Sequence, residues 1–148
     1  MPHHFIPRND LSKMNGIDIP YKMLTLDAFS QWMGIEILEC EVGRVKVAMT
    51  VRNEMLNSMF KAHGAISYAL ADTAFGFAAN THGKYAVSIE TSINHIEALN
   101  EGDYLVAESV IEKVNNKLGF NVIEVKRGPE LVALFKGVVY RTQKEWEE

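Results

Sequence analysis

One acidic side chain, Asp72, stands alone in a long apolar stretch of this 148-residue chain. Residues 61–80 read KAHGAISYALADTAFGFAAN, and no other Asp, Glu, Lys or Arg occurs between Lys61 and Lys84, although these types make up 23% of the sequence. Drawn as a helix, the stretch is apolar on nearly every side, which predicts a buried helix. Burial without a cation three or four residues away raises the pKa of a carboxyl group, as in many general bases and nucleophiles. The alternative is an acid that simply reaches solvent or a cation elsewhere.

A His-Gly pair, His63 and Gly64, marks the start of the same helix. The first N–H groups of a helix have no partner within it, and they stand at the positive end of the helix dipole. A carbonyl oxygen could be polarised there, and Gly64 has no side chain to keep that oxygen away. Alternatively, the pair only begins the helix, with a flexible glycine and a histidine whose hydrogen bonds are satisfied.

The spacing of Gly64 and Asp72 adds a geometric constraint. Eight residues separate them, which corresponds to roughly 12 Å along a helix. At that distance the carboxylate cannot act on a carbonyl group held at the N-terminus of its own helix. Two antiparallel helices across a twofold axis would bring Asp72 of one chain to Gly64 of the other. If both residues are catalytic, the sequence predicts a homodimer with shared active sites.

The segments before the first strand are predicted to cover this helix. Residues 1–24 contain three of the four prolines and no sustained periodicity, which predicts an extended N-terminal arm. A short helix follows, with Thr25 or Asp27 as its cap and Gly34 as its end. Its inward-facing side chains are predicted to be Phe29, Trp32 and Met33.

Strand patterns account for the rest of the chain. Two alternating runs around Gly43 predict a hairpin before the long helix, and four strand-like runs separated by turn residues follow it. Strands gathered around one helix, predicted at roughly residues 64–80, indicate an α+β fold. Because that helix is apolar all round, we expect a curled antiparallel β-sheet wrapped around one long central helix. Residues 25–148 are predicted to form this single domain.

Composition excludes several other classes of protein. The net charge of −4 and the lack of a basic stripe argue against nucleic acid as a partner. No apolar run reaches the roughly 18 residues of a membrane span, and the N-terminus lacks the pattern of a signal peptide. The single cysteine, Cys40, fits a reducing compartment and lies in a strand pattern, so we expect it to pack rather than react. These features predict a cytoplasmic protein.

The remaining polar residues give weaker signals. The histidines at positions 63, 82 and 95 lack metal-ligand spacing, and no phosphate-binding loop or dinucleotide fingerprint occurs. Some basic side chains near predicted strand ends could contact anionic groups of a ligand, or could form a solvated surface. They are Lys113, Lys117, Lys126 and Arg127.

The motif around the long helix resembles that of hotdog-fold acyl-CoA thioesterases of the phenylacetate-degradation (PaaI-like) type. In that family an Asn stands six residues before a His-Gly pair, and an Asp stands nine residues after the His. Asn57, the pair at residues 63–64 and Asp72 have this spacing here. The leading helix and the downstream strands are also similar, so the resemblance covers roughly residues 25–142.

The resemblance implies a sheet wrapped around a helix, paired into homodimers and often into tetramers as dimers of dimers. It implies that the thioester carbonyl binds the Gly64 N–H, beside His63, and that Asn57 of the same subunit places substrate or water. Asp72 of the partner subunit would be the general base or the nucleophile. Ser88 matches a serine that assists this acid in some members. No metal or redox cofactor is implied, because CoA enters only as part of the substrate.

Two departures from the family pattern concern the substrate. The family usually has Gly where Phe60 stands and a second Gly where Ala65 stands, so both residues are expected to shape the acyl entrance. The other predicted substrate-binding residues are Lys117, Lys126 and Arg127.

The predicted activity is hydrolysis of an acyl-CoA thioester to a carboxylic acid and CoA. One alternative is a hotdog protein that binds acyl-CoA or another apolar ligand without hydrolysing it. The other is a lyase of the enoyl-CoA hydratase type.

Overall fold

The fold places one long helix against a strongly curved sheet. The computed structural model describes residues 14–147. In chain order their helices and strands are a 3-10 turn (Gly16–Asp18), α1 (Ile19–Leu26), α2 (Ala28–Met33), β1 (Glu36–Glu41), β2 (Arg44–Thr50), a second 3-10 turn (Asn53–Met55), α3 (Gly64–Asn80), β3 (Lys84–His95), β4 (Tyr104–Val114), β5 (Leu118–Arg127) and β6 (Glu130–Glu145). The predicted order from α2 onwards, including the bounds of the long helix, is confirmed.

The six strands form one antiparallel sheet in the order β1-β2-β4-β5-β6-β3. Register shifts interrupt β3 between Ser88 and Glu90, and β4 between Ser109 and Ile111. Such bulges bend a strand and increase its twist, which lets the sheet curl around α3. The helix contacts β2, β3, β4, β5 and β6. The predicted α+β class, a curled sheet around one long helix, is confirmed.

Large aromatic side chains fix α3 on the concave face of the sheet. Phe75 of α3 is fully buried and packs on Phe135 of β6, with ring centroids 5.3 Å apart. Gly137 of β6 leaves room for this ring, since a Cβ atom there would lie 2.7 Å from Phe75. Burial of side chains of this size contributes about 1.5–3 kcal/mol each. The helix is therefore held by its large residues.

The face of α3 that points away from the sheet is uncovered in the single chain, although the apolar pattern predicts a buried helix. Ala65 and Asp72 are exposed, and Ala69 and Gly76 between and beyond them are half-buried. Their spacing of three and four residues places them on one face. The prediction failed because small residues count as apolar in a pattern but offer little surface for another element to cover.

The C-terminal end of α3 is anchored by the last strand. The Trp146 indole, which follows β6, donates a hydrogen bond from Nε1 to Asn80 Oδ1 over 2.9 Å. Its ring stacks on Tyr85 with centroids 4.0 Å apart. The same Asn80 oxygen accepts the backbone N–H of Ala86. This cluster fixes the end of the helix, so its N-terminus cannot slide along the sheet.

The predicted N-terminal arm is helical where the structure describes it. Residues 1–13 of the predicted arm lie outside the described residues, but from Gly16 onwards the chain is helical rather than extended. Ile19 and Pro20 begin α1 and are both buried, and Pro favours the first helical positions because its missing N–H has no partner there anyway. The arm does act as a cover, since α1 contacts α3.

The short helix α2 has the predicted ends but buries fewer side chains than predicted. Asp27 caps it by accepting the Ser30 N–H over 2.9 Å, and Gly34 ends it at φ 73°, as predicted. Of the three side chains expected to face inward, only Met33 is buried; Phe29 and Trp32 are 55% and 48% exposed and lie against each other. The three residues lie three and four positions apart, on one side of α2, but of them only Met33 belongs to the buried core. In residues 14–147, no helix has the length and hydropathy needed to cross a membrane.

The loop that leads into α3 contains a strained residue. Phe60 has φ 60°, and no other described residue except glycine has a positive φ. Its side chain is 81% exposed, so no packing offsets the strain. A left-handed backbone costs a residue with a side chain roughly 1–2 kcal/mol.

Replacing Phe60 by Gly should therefore stabilise the fold. We expect Phe60→Gly to raise the free energy of unfolding by about 0.5–1 kcal/mol, because the relieved strain exceeds the entropy cost of a glycine. Urea titration followed by circular dichroism measures this change. The matched control is Met59→Gly, since Met59 is also exposed, at 72%, but has an ordinary φ. That control should lose stability, and equal losses in both variants would contradict the prediction.

Candidate active site

A cavity of about 290 Å³ opens at the N-terminus of α3. The loop before the helix contributes Asn57 and Lys61 to its wall, and the helix contributes Gly64 and Ser67. The end of β3 and the segment after it complete the wall with His95 and Glu97. Backbone hydrogen bonds hold these segments together, because Ala62 N–H donates to Leu99 over 2.8 Å and Ile96 N–H donates to Val132 over 2.9 Å.

The Gly64 N–H is the free donor at this end of the helix. His63 caps the helix, with its Nδ1 accepting the Ala65 N–H over 3.0 Å and its carbonyl accepting the Ile66 N–H over 2.9 Å. No residue of the described part accepts a hydrogen bond from the Gly64 N–H. An unpaired N–H at the positive end of a helix dipole is suited to bind a carbonyl oxygen or an oxyanion.

A side chain at position 64 would crowd the ring of His95. A Cβ atom on Gly64 would lie 3.3 Å from His95 Nε2 and 3.4 Å from His95 Cε1. The His95 ring would have to shift by a few tenths of an ångström to admit that atom, whereas glycine leaves room for both the ring and a ligand. His63 itself does not line the cavity; it positions Gly64 through the cap.

Asn57 fixes the loop and faces the same cavity. Its Oδ1 accepts the N–H groups of Met59 and Lys61 over 2.9 and 3.2 Å. That leaves the Nδ2 hydrogens as the part of the amide available to a ligand. The structure thus brings together two predicted site residues, Asn57 and Gly64, within one chain.

Asp72 does not reach this cavity in its own chain. It lies on the uncovered face of α3, more than two turns after Gly64, and no described side chain or N–H group bonds to it. Its carboxyl group is exposed in the single chain, which is the alternative to burial that the sequence leaves open. Even so, partial burial among apolar neighbours raises its pKa above the ordinary Asp value. The cause is desolvation alone, which disfavours the charged form.

Ser88 lies on β3, at the edge of the sheet, and its side chain is exposed. It is paired with Val139 of β6 and does not line the cavity. Its neighbours Val87 and Ile89 are 50% and 59% exposed. An exposed edge strand with apolar side chains offers unpaired backbone groups to a further strand.

The basic residues predicted to bind substrate are not brought together. Lys117 precedes β5 and lines a separate hollow with Tyr140, whereas Lys126 and Arg127 end that strand, roughly 30 Å away. Arg127 donates to Asp103 over 2.8 Å and to the Ala98 carbonyl over 3.2 Å, and it also pairs with Glu130. These bonds hold the segment that forms one cavity wall.

The two residues at the family's glycine positions flank the cavity. Phe60 projects from the loop into solvent, next to the lining residue Lys61. Ala65 is exposed in the first turn of α3.

Cys40 lies elsewhere, on β1, and is half-buried. Its burial, and secondly the nearby charge of Asp18, raise the pKa of its thiol.

Sequence reasoning missed four polar lining residues: Lys61, Ser67, His95 and Glu97. Ser67 could have been found, because it lies three residues after Gly64 and so on the same helix face. His95 could not, since its contact with the helix joins residues far apart in the chain. Within residues 14–147, no group of three His, Cys, Asp or Glu side chains is arranged to hold a metal ion.

Comparison with known proteins assigns this architecture to a family. The model of the thioesterase superfamily matches residues 61–134, which is half of the chain. The acyl-coenzyme A thioesterase PaaI of Escherichia coli is 34% identical over 122 residues, covering 82% of this chain and 87% of that protein. A relative from Archaeoglobus fulgidus, whose name assigns it provisionally to the esterases, is 41% identical over 121 residues, covering 81% of this chain and 79% of the relative.

Solved structures agree with this assignment. The Escherichia coli PaaI protein from the phenylacetic acid degradation operon superposes with a TM-score of 0.85 at 31% identity, covering 88% of this chain and 96% of that one. A mutant of the phenylacetic acid degradation protein PaaI from Thermus thermophilus gives a TM-score of 0.76 at 35% identity, with 78% and 100% covered. The resemblance drawn from the motif is confirmed: the chain belongs to the thioesterase superfamily, as an enzyme of the PaaI-like, hotdog-fold type.

Proposed function

We propose that this protein hydrolyses acyl-CoA thioesters in a site shared between two copies of the chain. The observation that carries the proposal is the unpaired N–H of Gly64, a residue that lines a cavity at the positive end of α3. The substrate class is taken from the acyl-coenzyme A thioesterase relative. Hydrolysis of a thioester needs a hydrogen-bond donor for the carbonyl oxygen, a water molecule and a base. The chain offers a candidate for the donor and a candidate for the base.

The carbonyl oxygen of the thioester binds the Gly64 N–H, with the Asn57 Nδ2 hydrogens placed to hold the substrate or the attacking water. The water oxygen attacks the carbonyl carbon while the carboxylate of Asp72 takes a proton from it. The negative charge on the carbonyl oxygen is stabilised by the N–H and the helix dipole. The C–S bond then breaks, the carboxylic acid leaves, and the CoA thiolate recovers the proton.

Asp72 must come from a second copy because its own helix keeps it roughly 12 Å from Gly64. Two features of the surface favour such a dimer. The uncovered face of α3 carries Ala65, Ala69 and Gly76, whose small size lets another helix approach closely. The edge strand β3 offers free backbone groups and apolar side chains beside it. We propose an antiparallel pairing of two such chains.

The raised pKa of Asp72 favours its use as a general base. Desolvation raises its pKa, and a carboxylate is a better base as its pKa approaches the working pH. A nucleophilic Asp72, which would form an anhydride with the acyl group before water attacks, needs the same ionised form. Ser88 on β3 is the candidate to assist it with a hydrogen bond across the dimer.

Replacing Asp72 should strongly reduce turnover without unfolding the protein. We expect Asp72→Asn to lower kcat on acyl-CoAs by about 10²–10⁴-fold, because a general base contributes that much. Release of CoA thiol, followed with a thiol-reactive dye over aryl, short-chain and long-chain acyl-CoAs, measures the effect and identifies the acyl preference. The control is Glu41→Gln, an exposed acid at the β1–β2 turn. Wild-type rates for Asp72→Asn, or tight acyl-CoA binding without thiol release by the wild type, would contradict the proposal.

The pH profile provides a second prediction. The base must be ionised, so kcat/KM should fall as the pH drops through the pKa of Asp72. Because burial raises that pKa, the midpoint of the acidic limb should lie above about 3.9, the ordinary Asp value. Initial rates over a range of buffers test this. An identical acidic limb in the residual activity of Asp72→Asn would assign the titration to another group.

Mixed dimers test the shared site. Asn57→Asp keeps the oxygen that accepts the Met59 and Lys61 N–H groups but removes the Nδ2 donors, so it should be inactive and folded. Coexpression with Asp72→Asn should restore about a quarter of the wild-type activity, because about half of the dimers are mixed and each has one intact site. No recovery in dimers shown to be mixed by mass spectrometry would place both residues in one chain's site.

A further inference from the structure

A serine and a histidine form a pair beside Gly64 that the proposed reaction has not used. Ser67 of α3 is 3% exposed, and its hydroxyl lies 3.3 Å from Nδ1 of His95 at the end of β3. Both residues line the cavity at the start of α3. The pair joins the helix to the sheet edge at the point where the Gly64 N–H is free.

The other ring nitrogen of His95 lies within reach of an oxygen bound at Gly64. Nε2 is 3.3 Å from the position of a Cβ atom on Gly64. That position is about 2.5 Å from the Gly64 nitrogen, so the two nitrogens are at most about 6 Å apart. One oxygen about 3 Å from each can therefore accept a hydrogen bond from both.

Ser67 can fix the tautomer that makes Nε2 a donor. Its hydroxyl has two acceptors nearby, His95 Nδ1 at 3.3 Å and the Gly64 carbonyl at 3.4 Å. That carbonyl already accepts the helical hydrogen bond from the backbone N–H four residues later. A hydroxyl that donates to Nδ1 leaves the hydrogen of a neutral imidazole on Nε2.

The other polar groups of the cavity are less suited to this task. Lys61 Nζ donates a hydrogen bond to Asn100 Oδ1 over 2.6 Å. This bond directs the ammonium group toward the turn before β4. Glu97 can only repel a developing oxyanion. The Nδ2 hydrogens of Asn57 are assigned to the substrate or the attacking water in the proposed reaction. His95 is exposed in the single chain, but it contacts Ser67 and has a nitrogen close to the free N–H.

We propose that His95 Nε2–H is a second donor to the thioester carbonyl oxygen, completing with the Gly64 N–H a two-donor oxyanion site, and this rests on the proposed function. As water adds to the carbonyl carbon, negative charge develops on the oxygen between these donors. Two donors fixed before the reaction stabilise that charge without reorganisation. Ser67 is a positioning residue that acts through the His95 ring.

Variants of His95 that keep or remove the donor test this role. His95→Phe keeps an aromatic ring over Gly64 without a donor, and it should lower kcat by about 10²-fold with little change in KM. His95→Gln can place an amide N–H near the same point and should recover much of that loss. Ser67→Ala should fall between His95→Phe and the wild type. The control is Asn94→Ala, whose side chain projects from the other face of β3.

Infrared spectroscopy of a bound ketone analogue measures directly how strongly the site polarises the carbonyl group. In this analogue a methylene group separates the CoA sulfur from the carbonyl, so no hydrolysis occurs. Binding to the wild type should shift the C=O stretch to lower frequency, and the shift should shrink in His95→Phe but not in Asp72→Asn. Equal shifts in the wild type and His95→Phe, or wild-type kcat for His95→Phe, would overturn the role of His95. A wild type that binds the analogue but hydrolyses no thioester would overturn the proposed function while leaving the infrared comparison decisive for His95.

Discussion

One unpaired N–H group, on Gly64, is the constraint around which the candidate site is arranged. A helix begins with several N–H groups that lack partners, and a protein usually satisfies them with caps. Here the cap is selective, because His63 takes the N–H groups of Ala65 and Ile66 and leaves that of Gly64. Selectivity matters chemically, since a donor that is already bonded cannot stabilise a developing charge.

The rest of the fold keeps that N–H group at a fixed place. Phe75 and Phe135 hold α3 against the sheet, and Trp146 fixes the far end of the helix through Asn80. Asn57 shapes the loop before the helix. Arg127 holds the opposite wall through Asp103 and the Ala98 carbonyl. A cavity built in this way depends on ion pairs and hydrogen bonds at its rim and on aromatic packing behind it.

Much of this arrangement could be predicted from the sequence because it is encoded locally. Apolar spacing and the bordering residues gave the correct bounds of α3, and turn residues separated the strands correctly. Burial was harder to predict: Phe29 and Trp32 are large and apolar yet exposed, since nothing in a local pattern tells whether another element covers them. The contact of Ser67 with His95 joins residues 28 positions apart, and only the pairing of β3 with β6 brings His95 to the helix.

The exposure of Asp72 changes the meaning of its isolation in the sequence. A fully buried carboxylate would have needed a partner in its own chain, and a lone one would be costly. On the uncovered face of α3 the carboxylate keeps part of its hydration, while its apolar neighbours already raise its pKa. In the proposed dimer a second helix removes more water and raises that pKa further. The small residues at positions 65, 69 and 76 would then serve two purposes, since they let the helices approach and leave Asp72 as the largest polar group between them. Dimerisation and activation of the base would thus be the same physical event.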